Sequence, residues 1–208
     1  MPIPSEIAKL WEALDEETTM VHAYWLVFSQ LFMGPQEQMD LLDRSAGFFF
    51  LAVQDALATD IQLTVSKLAD PAKSFGKENA TVQHLLDDAL KLAPTLKPKI
   101  EPLCGKFRDA SKPVRDLRNK VIAHLDLATA TKTVPPLPGA TVNEVRAALD
   151  ALAEFMNAIQ THFGEAPTAY GMFGMLGGGP KELVAMLKTA DGYLERQKSG
   201  AIPWDDGR

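Results

Sequence analysis

The sequence predicts an all-α fold, an up-and-down bundle of about five to seven helices. Apolar residues recur every three or four positions along most of the chain, the spacing that gathers them on one face of a helix. No run of alternating apolar and polar residues is long enough to predict a strand. Proline and glycine clusters divide the periodic stretches into segments of ordinary helix length.

Two long helices are predicted in the first third of the chain. Apolar residues from Glu6 to Phe32 fit one helical face, and Gly34-Pro35 ends that pattern. A second helix should run from about Met39 to Leu68 and stop at Asp70-Pro71. Because residues 46–53 are apolar on all sides, we expect a central helix that is covered on most of its surface.

Shorter helices should follow in the middle of the chain. Asn79 or Thr81 can cap the first of them. The next is predicted from about Lys99 to His124, and Pro113 should kink or divide it because proline lacks the backbone N–H that a helix interior needs. Ser111 is a candidate cap for the second half.

A capping box predicts the start of the next helix. Thr141 and Glu144 have the spacing at which each side chain serves the other's backbone N–H, and the helix should extend to about Phe163. A last helix is predicted over residues 180–198. We therefore expect a helical-bundle domain in residues 1–165, a glycine-rich linker in residues 166–180, and a C-terminal helix and tail in residues 181–208.

Composition restricts the class of protein. The 208 residues are 46% hydrophobic and 23% charged, which is typical of a globular chain. No apolar run approaches the roughly 18 to 20 residues that cross a bilayer, and no signal region follows the first residues, so we expect a cytoplasmic protein with no membrane partner. The formal net charge of −6 argues against coating of nucleic acid by bulk charge but allows a local basic site.

Cysteine and histidine usage predicts neither a disulfide nor a metal site. The single cysteine, Cys104, is expected to be a buried thiol. The four histidines are widely spaced and form no His-x-x-x-His pair, so we expect no metal and no cofactor. They are His22, His84, His124 and His162.

A basic stripe distinguishes the helix that ends near His124. Steps of four, three and four residues place its members on one face, and Arg118 flanks them. Two interpretations stay open: a nucleic-acid contact, or a solvated face paired with Asp109 and Asp116. The stripe consists of Arg108, Lys112, Arg115 and Asn119.

Arg118 and His124 are six residues apart, so on a continuous helix they would point about 120° away from one another. They can converge if the helix ends near Ala123, or if a second subunit completes the site. Both arrangements stay open.

The stretch from Leu117 to Asp126 resembles the Arg-x(4–6)-His signature of the HEPN superfamily, most closely its abortive-infection U-type branch. In this sequence it reads Leu-Arg-Asn-Lys-Val-Ile-Ala-His-Leu-Asp. The segments Leu68–Pro71 and Asn79–Leu86 resemble the same branch. The resemblance covers roughly residues 20–165.

The resemblance implies a HEPN-like helical bundle, often a homodimer, whose catalytic members are metal-independent endoribonucleases of phage defence or toxin–antitoxin systems. It implies that His124 handles protons at the 2′-hydroxyl or the leaving 5′-oxygen, that Arg118 holds the scissile phosphate, and that Asn119 orients one of them. The expected RNA-binding residues are Arg115, Lys112, Arg108 and Lys120.

Two other functions remain open. Many proteins that resemble this chain are non-catalytic dimerisation or binding modules, in which Arg118 would form a salt bridge to a neighbouring helix and His124 would bond Asp126 or a backbone carbonyl. A third candidate is an antitoxin-like protein that neutralises a nucleotidyltransferase or a similar protein. If the chain is instead the toxin, an antitoxin partner is expected.

Overall fold

A computed structural model describes residues 3–74, 76–118, 140–172 and 178–203. Within these ranges the chain is an all-α helical bundle with seven α-helices and one very short hairpin, which confirms the predicted all-α fold class. The fold has two compact units, the first formed by Met1–Ala23 and Thr59–Met172, the second by Tyr24–Ala58 and Phe173–Arg208.

The helices and strands are numbered here in chain order. They are α1 (Ser5–Phe32), α2 (Gln36–Leu68), β1 (Lys73–Ser74), β2 (Lys77–Glu78), α3 (Val82–Leu92), a 3₁₀ turn (Pro94–Leu96), α4 (Lys97–Ala110), α5 (Lys112–Leu117), α6 (Val142–His162) and α7 (Pro180–Lys198). Strands β1 and β2 pair antiparallel. The predicted helices are therefore confirmed wherever the structure describes the chain, and the predicted end near His124 lies outside the described residues.

The first unit has a core formed mainly by α4 and α6, which pack against each other. Side chains from the other helices of the unit complete this core, and all of them are almost fully removed from solvent. Burial of this much apolar surface is the main force that stabilises the unit. The largest buried side chains include Ile7, Leu14, Ile61, Leu85, Ile100, Phe107, Leu149, Leu152, Phe155 and Ile159.

Both predicted helix starts that rest on capping are confirmed. The Thr81 side chain accepts a hydrogen bond from the backbone N–H of His84 and caps α3. At α6 the capping box is complete: the N–H of Glu144 donates to Thr141 Oγ1, and the Glu144 carboxylate accepts from the Thr141 N–H at 2.7 Å. These bonds satisfy backbone donors that a helix start otherwise leaves without partners.

The predicted division of the fourth helix is confirmed, whereas the predicted role of Ser111 is confirmed only in part. Helix α4 ends at Ala110, and Pro113 lies in the first turn of α5, where its missing N–H costs nothing. Ser111 occupies the N-cap position of α5, as predicted, but its side chain makes no capping hydrogen bond there. Its hydroxyl donates instead to the Phe107 carbonyl at 2.7 Å and satisfies the end of α4.

The residues after α6 are bound to the first unit. Asn157 on α6 accepts from the Thr168 N–H at 2.7 Å and donates to the Thr168 carbonyl. The Tyr170 hydroxyl donates to Asp15 on α1. Residues 166–172, assigned by sequence to a linker, are thus anchored, and the predicted domain boundaries stay a prediction.

The second unit has a smaller core. Leu31, Leu41 and Val184 are buried together, and Val27 and Leu187 pack against them. On its surface Arg44 forms a bidentate pair with Asp191, with a shortest distance of 2.6 Å. This pair raises the pKa of Arg44 and lowers that of Asp191, because each charge stabilises the other.

The expectation that residues 46–53 are covered on most sides is wrong. Phe48 is 87% exposed, Phe49 and Leu51 are also exposed, and Phe50 alone among the large apolar side chains of this segment is buried. The helix bends here, since Ala46 has non-helical dihedral angles. Hydrophobicity on all sides therefore does not mark a core helix in this unit.

No uninterrupted apolar run in α2 reaches the length that crosses a bilayer, as expected, but the helix as a whole is a weak candidate for a membrane span. By length and composition alone α2 qualifies, with an 18-residue window of mean hydropathy 1.3, of which 22% is buried. The cytoplasmic localisation and the absence of a membrane partner therefore stay predictions.

His22 is a buried titratable group of the first unit. Its Nδ1–H donates to the Thr18 carbonyl at 2.7 Å, and its ring lies 5.5 Å from that of Tyr170. Burial lowers the pKa of His22 below 6.5, although the Thr18 and Leu149 carbonyls and the Asp150 carboxylate act in the opposite direction. The folded protein therefore binds a proton at His22 less readily than the unfolded chain does.

We predict that the protein loses stability as the pH falls below about 6.5, because the unfolded state then binds the extra proton. Denaturant unfolding at several pH values measures this. His22→Gln should flatten the decline between pH 7 and pH 5.5, whereas His162→Gln, at an exposed position, should leave it unchanged. An unaltered decline in His22→Gln would contradict the assignment.

Candidate functional site

The predicted motif begins at the end of α5. Arg118 is the C-terminal cap of this helix, and its backbone N–H bonds to the carbonyls of Val114 and Arg115. Three predicted site residues, Asn119, Lys120 and His124, lie outside the described residues. The geometry of the site is therefore that of Arg118 and the residues around it.

Arg118 forms a bidentate salt bridge with Asp70. Its Nη1 donates to Oδ2 at 2.7 Å and its Nη2 donates to Oδ1 at 3.1 Å. The Arg118 side chain is only 17% exposed. Paired parallel bonds of this kind are stronger and more directional than a single contact, so Asp70 fixes the plane of the Arg118 guanidinium. This is also the salt bridge expected of Arg118 in a non-catalytic module.

Arg115 approaches the same carboxylate. Its Nη2 lies 3.5 Å from Asp70 Oδ1, which is close enough for an ion pair but too long for a good hydrogen bond. Its Nε is buried and has no hydrogen-bond partner among the described residues. Asp70 therefore brings two guanidinium groups together but satisfies Arg118 much more fully than Arg115.

The turn after α2 holds Asp70 in place. The Asp70 N–H bonds back to the Lys67 carbonyl, and Asp70 precedes Pro71, which cannot continue the helix. Asn79 closes the turn, since its side-chain amide donates to the Pro71 carbonyl at 2.9 Å and to Ser74 Oγ at 2.8 Å. The hairpin and this amide together set the direction of the Asp70 side chain.

A depression of about 500 Å³ lies beside this pair. On its far side Gln83 accepts a hydrogen bond from Arg108 Nη1 at 3.3 Å and donates to Asp87 at 2.8 Å. Two arginines of the predicted stripe thus face one depression in an acidic protein. The lining residues are Ala69, Asp70, Pro71, Gln83, Arg108 and Arg115.

Lys112 does not line the depression. It pairs with Asp109 at 2.9 Å on the surface, and both side chains are largely exposed. The bond lowers the pKa of Asp109. For this member of the stripe the structure matches the interpretation as a solvated face, while Arg108 and Arg115 line the depression and Asn119 lies outside the described residues.

No group of three or more His, Cys, Asp or Glu side chains lies close enough to hold a metal ion within the described part of the chain. The charged groups of the candidate site form the arginine cluster, defined as Arg115 and Arg118, which pair with Asp70, and Arg108, which lines the same depression as Arg115.

The sequence model of the AbiU2 family of HEPN domains matches residues 4–176. The chain belongs to the AbiU2 family. The match includes Arg118, Asp70 and the whole predicted motif, and it extends beyond the roughly 20–165 that the resemblance covers. Neither a curated protein nor a solved structure matches the chain.

Sequence reasoning did not assign site roles to Asp70 and Gln83 of this AbiU2-family chain. Asp70 was read as part of a helix stop, and 48 residues separate it from Arg118. The signal that could have found it is an acidic residue at a helix end whose neighbouring proline fixes the backbone. No sequence pattern around Gln83 indicates a role at a functional site.

Cys104 lies next to the depression and is buried, as predicted from its solitary occurrence. Its Sγ contacts Gln83 Oε1 at 3.8 Å. Burial raises the pKa of the Cys104 thiol to about 11, although Arg108 opposes this. Little thiolate is present at neutral pH, so the thiol should be inert.

We predict that Cys104 of the folded protein reacts with an aromatic disulfide reagent at pH 8 about 100-fold more slowly than an exposed cysteine, since the thiolate fraction is lower by about that factor. The same measurement in denaturant supplies the control. Equal rates in the folded and unfolded protein would contradict both the burial and the pKa shift.

Proposed function

We propose that this protein is a metal-independent endoribonuclease of HEPN type that acts in phage defence or in a toxin–antitoxin pair. The observation that carries the proposal is the arginine cluster: Arg115 and Arg118 pair with one carboxylate and Arg108 lines the same depression as Arg115, in a chain whose formal net charge is −6. Membership of the AbiU2 family supports it. The proposal includes a homodimer and an antitoxin partner.

The proposed chemistry uses the RNA's own nucleophile. The 2′-oxygen attacks the adjacent phosphorus, the bond from phosphorus to the 5′-oxygen breaks, and the products are a 2′,3′-cyclic phosphate and a 5′-hydroxyl. His124 would move the protons that leave the 2′-oxygen and arrive at the 5′-oxygen. Arg118 would oppose the negative charge that grows on the phosphate, and Asn119 would orient one of these groups. Lys120, Arg115 and Arg108 would contact the backbone.

The salt bridge to Asp70 is compatible with this role. A guanidinium that stabilises a transition state must be held in one orientation beforehand, and a carboxylate behind it provides that support. In this role Asp70 would hold the Arg118 guanidinium in one plane and would not itself contact the phosphate.

The same salt bridge favours a second function, a non-catalytic HEPN-fold module that binds nucleic acid or a protein. A half-buried Arg118 that pairs with Asp70 within one chain is what a purely structural role requires. In that case the two residues would stabilise the contact between α5 and the end of α2 and would take no part in chemistry.

We predict that the purified protein cleaves single-stranded RNA in the presence of EDTA and leaves 2′,3′-cyclic phosphate ends. His124→Ala should lower the rate by about 10² to 10⁴, the contribution of general acid–base catalysis. Arg118→Ala should lower it by about 10² or more, the loss expected when one group opposing the developing charge is removed. Gel analysis of end-labelled RNA measures both.

His162→Ala provides the matched control, because this histidine lies on α6, is exposed and falls outside the motif. Its cleavage rate should equal that of the wild type. Equal rates in the wild type and His124→Ala would assign the cleavage to a contaminant and leave the non-catalytic function.

A further inference from the structure

Arg115 is the least satisfied charged group of the arginine cluster. Its one ion pair among the described residues, to Asp70, is 3.5 Å long, and its Nε–H is buried without an acceptor there. A buried donor without a partner costs free energy. Arg115 therefore gains more than Arg118 when an anion with several acceptor oxygens reaches the depression that it lines.

The charge of the cluster suits such an anion. Arg108, Arg115 and Asp70 line the depression, and Arg118 pairs with the same Asp70, so the cluster carries about +2 in a chain whose overall charge is negative. Guanidinium groups bind phosphate oxygens in paired hydrogen bonds. A volume of about 500 Å³ is enough for a nucleotide unit.

Asp70 allows Arg115 and Arg118 to lie close to one another. Arg115 and Arg118 are three residues apart at the end of α5, a spacing at which like charges repel on a helix. The carboxylate between them offsets this repulsion and holds Arg118 in a fixed plane. An asparagine has the same shape but carries no charge and has only one acceptor oxygen. It can therefore neither offset the repulsion between the two arginines nor accept both hydrogen bonds from Arg118.

We propose that Asp70 is a positioning residue that assembles, from Arg115 and Arg118, a binding site for an RNA backbone phosphate in this depression, with Arg108 at its edge. The inference rests on the proposed RNA substrate and adds the residue that builds the site. Asp70 itself does not contact the phosphate. It acts through the two arginines.

Binding of fully 2′-O-methylated single-stranded RNA tests this, because that RNA lacks the nucleophile and cannot be cleaved. Fluorescence anisotropy of a labelled oligomer would give Kd for the wild type, Asp70→Asn, Asp70→Glu and Arg115→Gln. Asp70→Asn should weaken binding about tenfold, as loss of a charge-assisted contact does. Asp70→Glu should recover most of the affinity.

Asp116→Asn is the matched control. Asp116 lies on α5, next to Arg115, but is exposed and does not line the depression. Asp116→Asn and Asp70→Asn change the net charge of the protein by the same amount. General electrostatics alone predict that both variants bind RNA more tightly. The proposal predicts that Asp116→Asn binds as well as the wild type or better, while Asp70→Asn binds more weakly.

The salt dependence of Kd provides a second measurement, which a change in protein stability alone would not alter. Between about 50 and 200 mM salt, loss of one phosphate contact on a single strand should reduce the slope of log Kd against log salt by about 0.7. Asp70→Asn and Arg115→Gln should each show this loss, and the double variant should show little more. If Asp70→Asn fails to fold, Arg115→Gln provides the same comparison.

Asp70→Asn that binds as tightly as the wild type, or more tightly, would overturn the proposal and identify Asp70 as a competitor of RNA for the arginines. The outcome is separable from the proposed activity. If the wild type binds methylated RNA but does not cleave unmodified RNA, the proposed nuclease activity is wrong and the proposed phosphate site stands. If the wild type cleaves RNA and Asp70→Asn has an unchanged Kd, the proposed phosphate site is wrong and the nuclease activity stands.

Discussion

One carboxylate joins two distant parts of the first unit. Asp70 follows α2 and Arg118 ends α5, and their bidentate contact, with Arg115 beside it, ties the two helix ends together across 48 residues of sequence. The pair is half-buried, so removing either partner would leave a charge that water screens only in part. The same carboxylate is also the ion-pair partner of Arg115, so both guanidinium groups at the end of α5 depend on Asp70.

The local structure around Asp70 explains why the contact is well defined. The proline after it ends the helix, the Asn79 amide closes the turn, and Thr81 begins α3 immediately afterwards. Each of these interactions joins residues that are close in sequence. Together they orient α3 so that Gln83 accepts a hydrogen bond from Arg108. A series of ordinary turn and capping bonds thus sets the distance between groups that contribute to one site.

These local features were the part of the fold that the sequence could predict. The capping box at Thr141, the stop at Pro71 and the break at Pro113 follow from backbone hydrogen bonding within a few residues. The Asp70–Arg118 pair could not be predicted, because no local pattern states which distant side chain a charge will meet. The exposure of Phe48 could not be predicted either, because the hydrophobicity of a side chain does not show whether another part of the protein covers it.

The contrast between the arginine cluster and the acidic remainder of the chain has a kinetic consequence. At physiological ionic strength the screening length is about 8 Å, so the cluster attracts a polyanion only over that distance, while the negative charge elsewhere gives no long-range steering. If RNA is the substrate, as proposed, a productive encounter would begin only after a strand has come within that distance of the depression. Flexible single strands, which can bend towards the cluster, would then bind more readily than stiff duplexes.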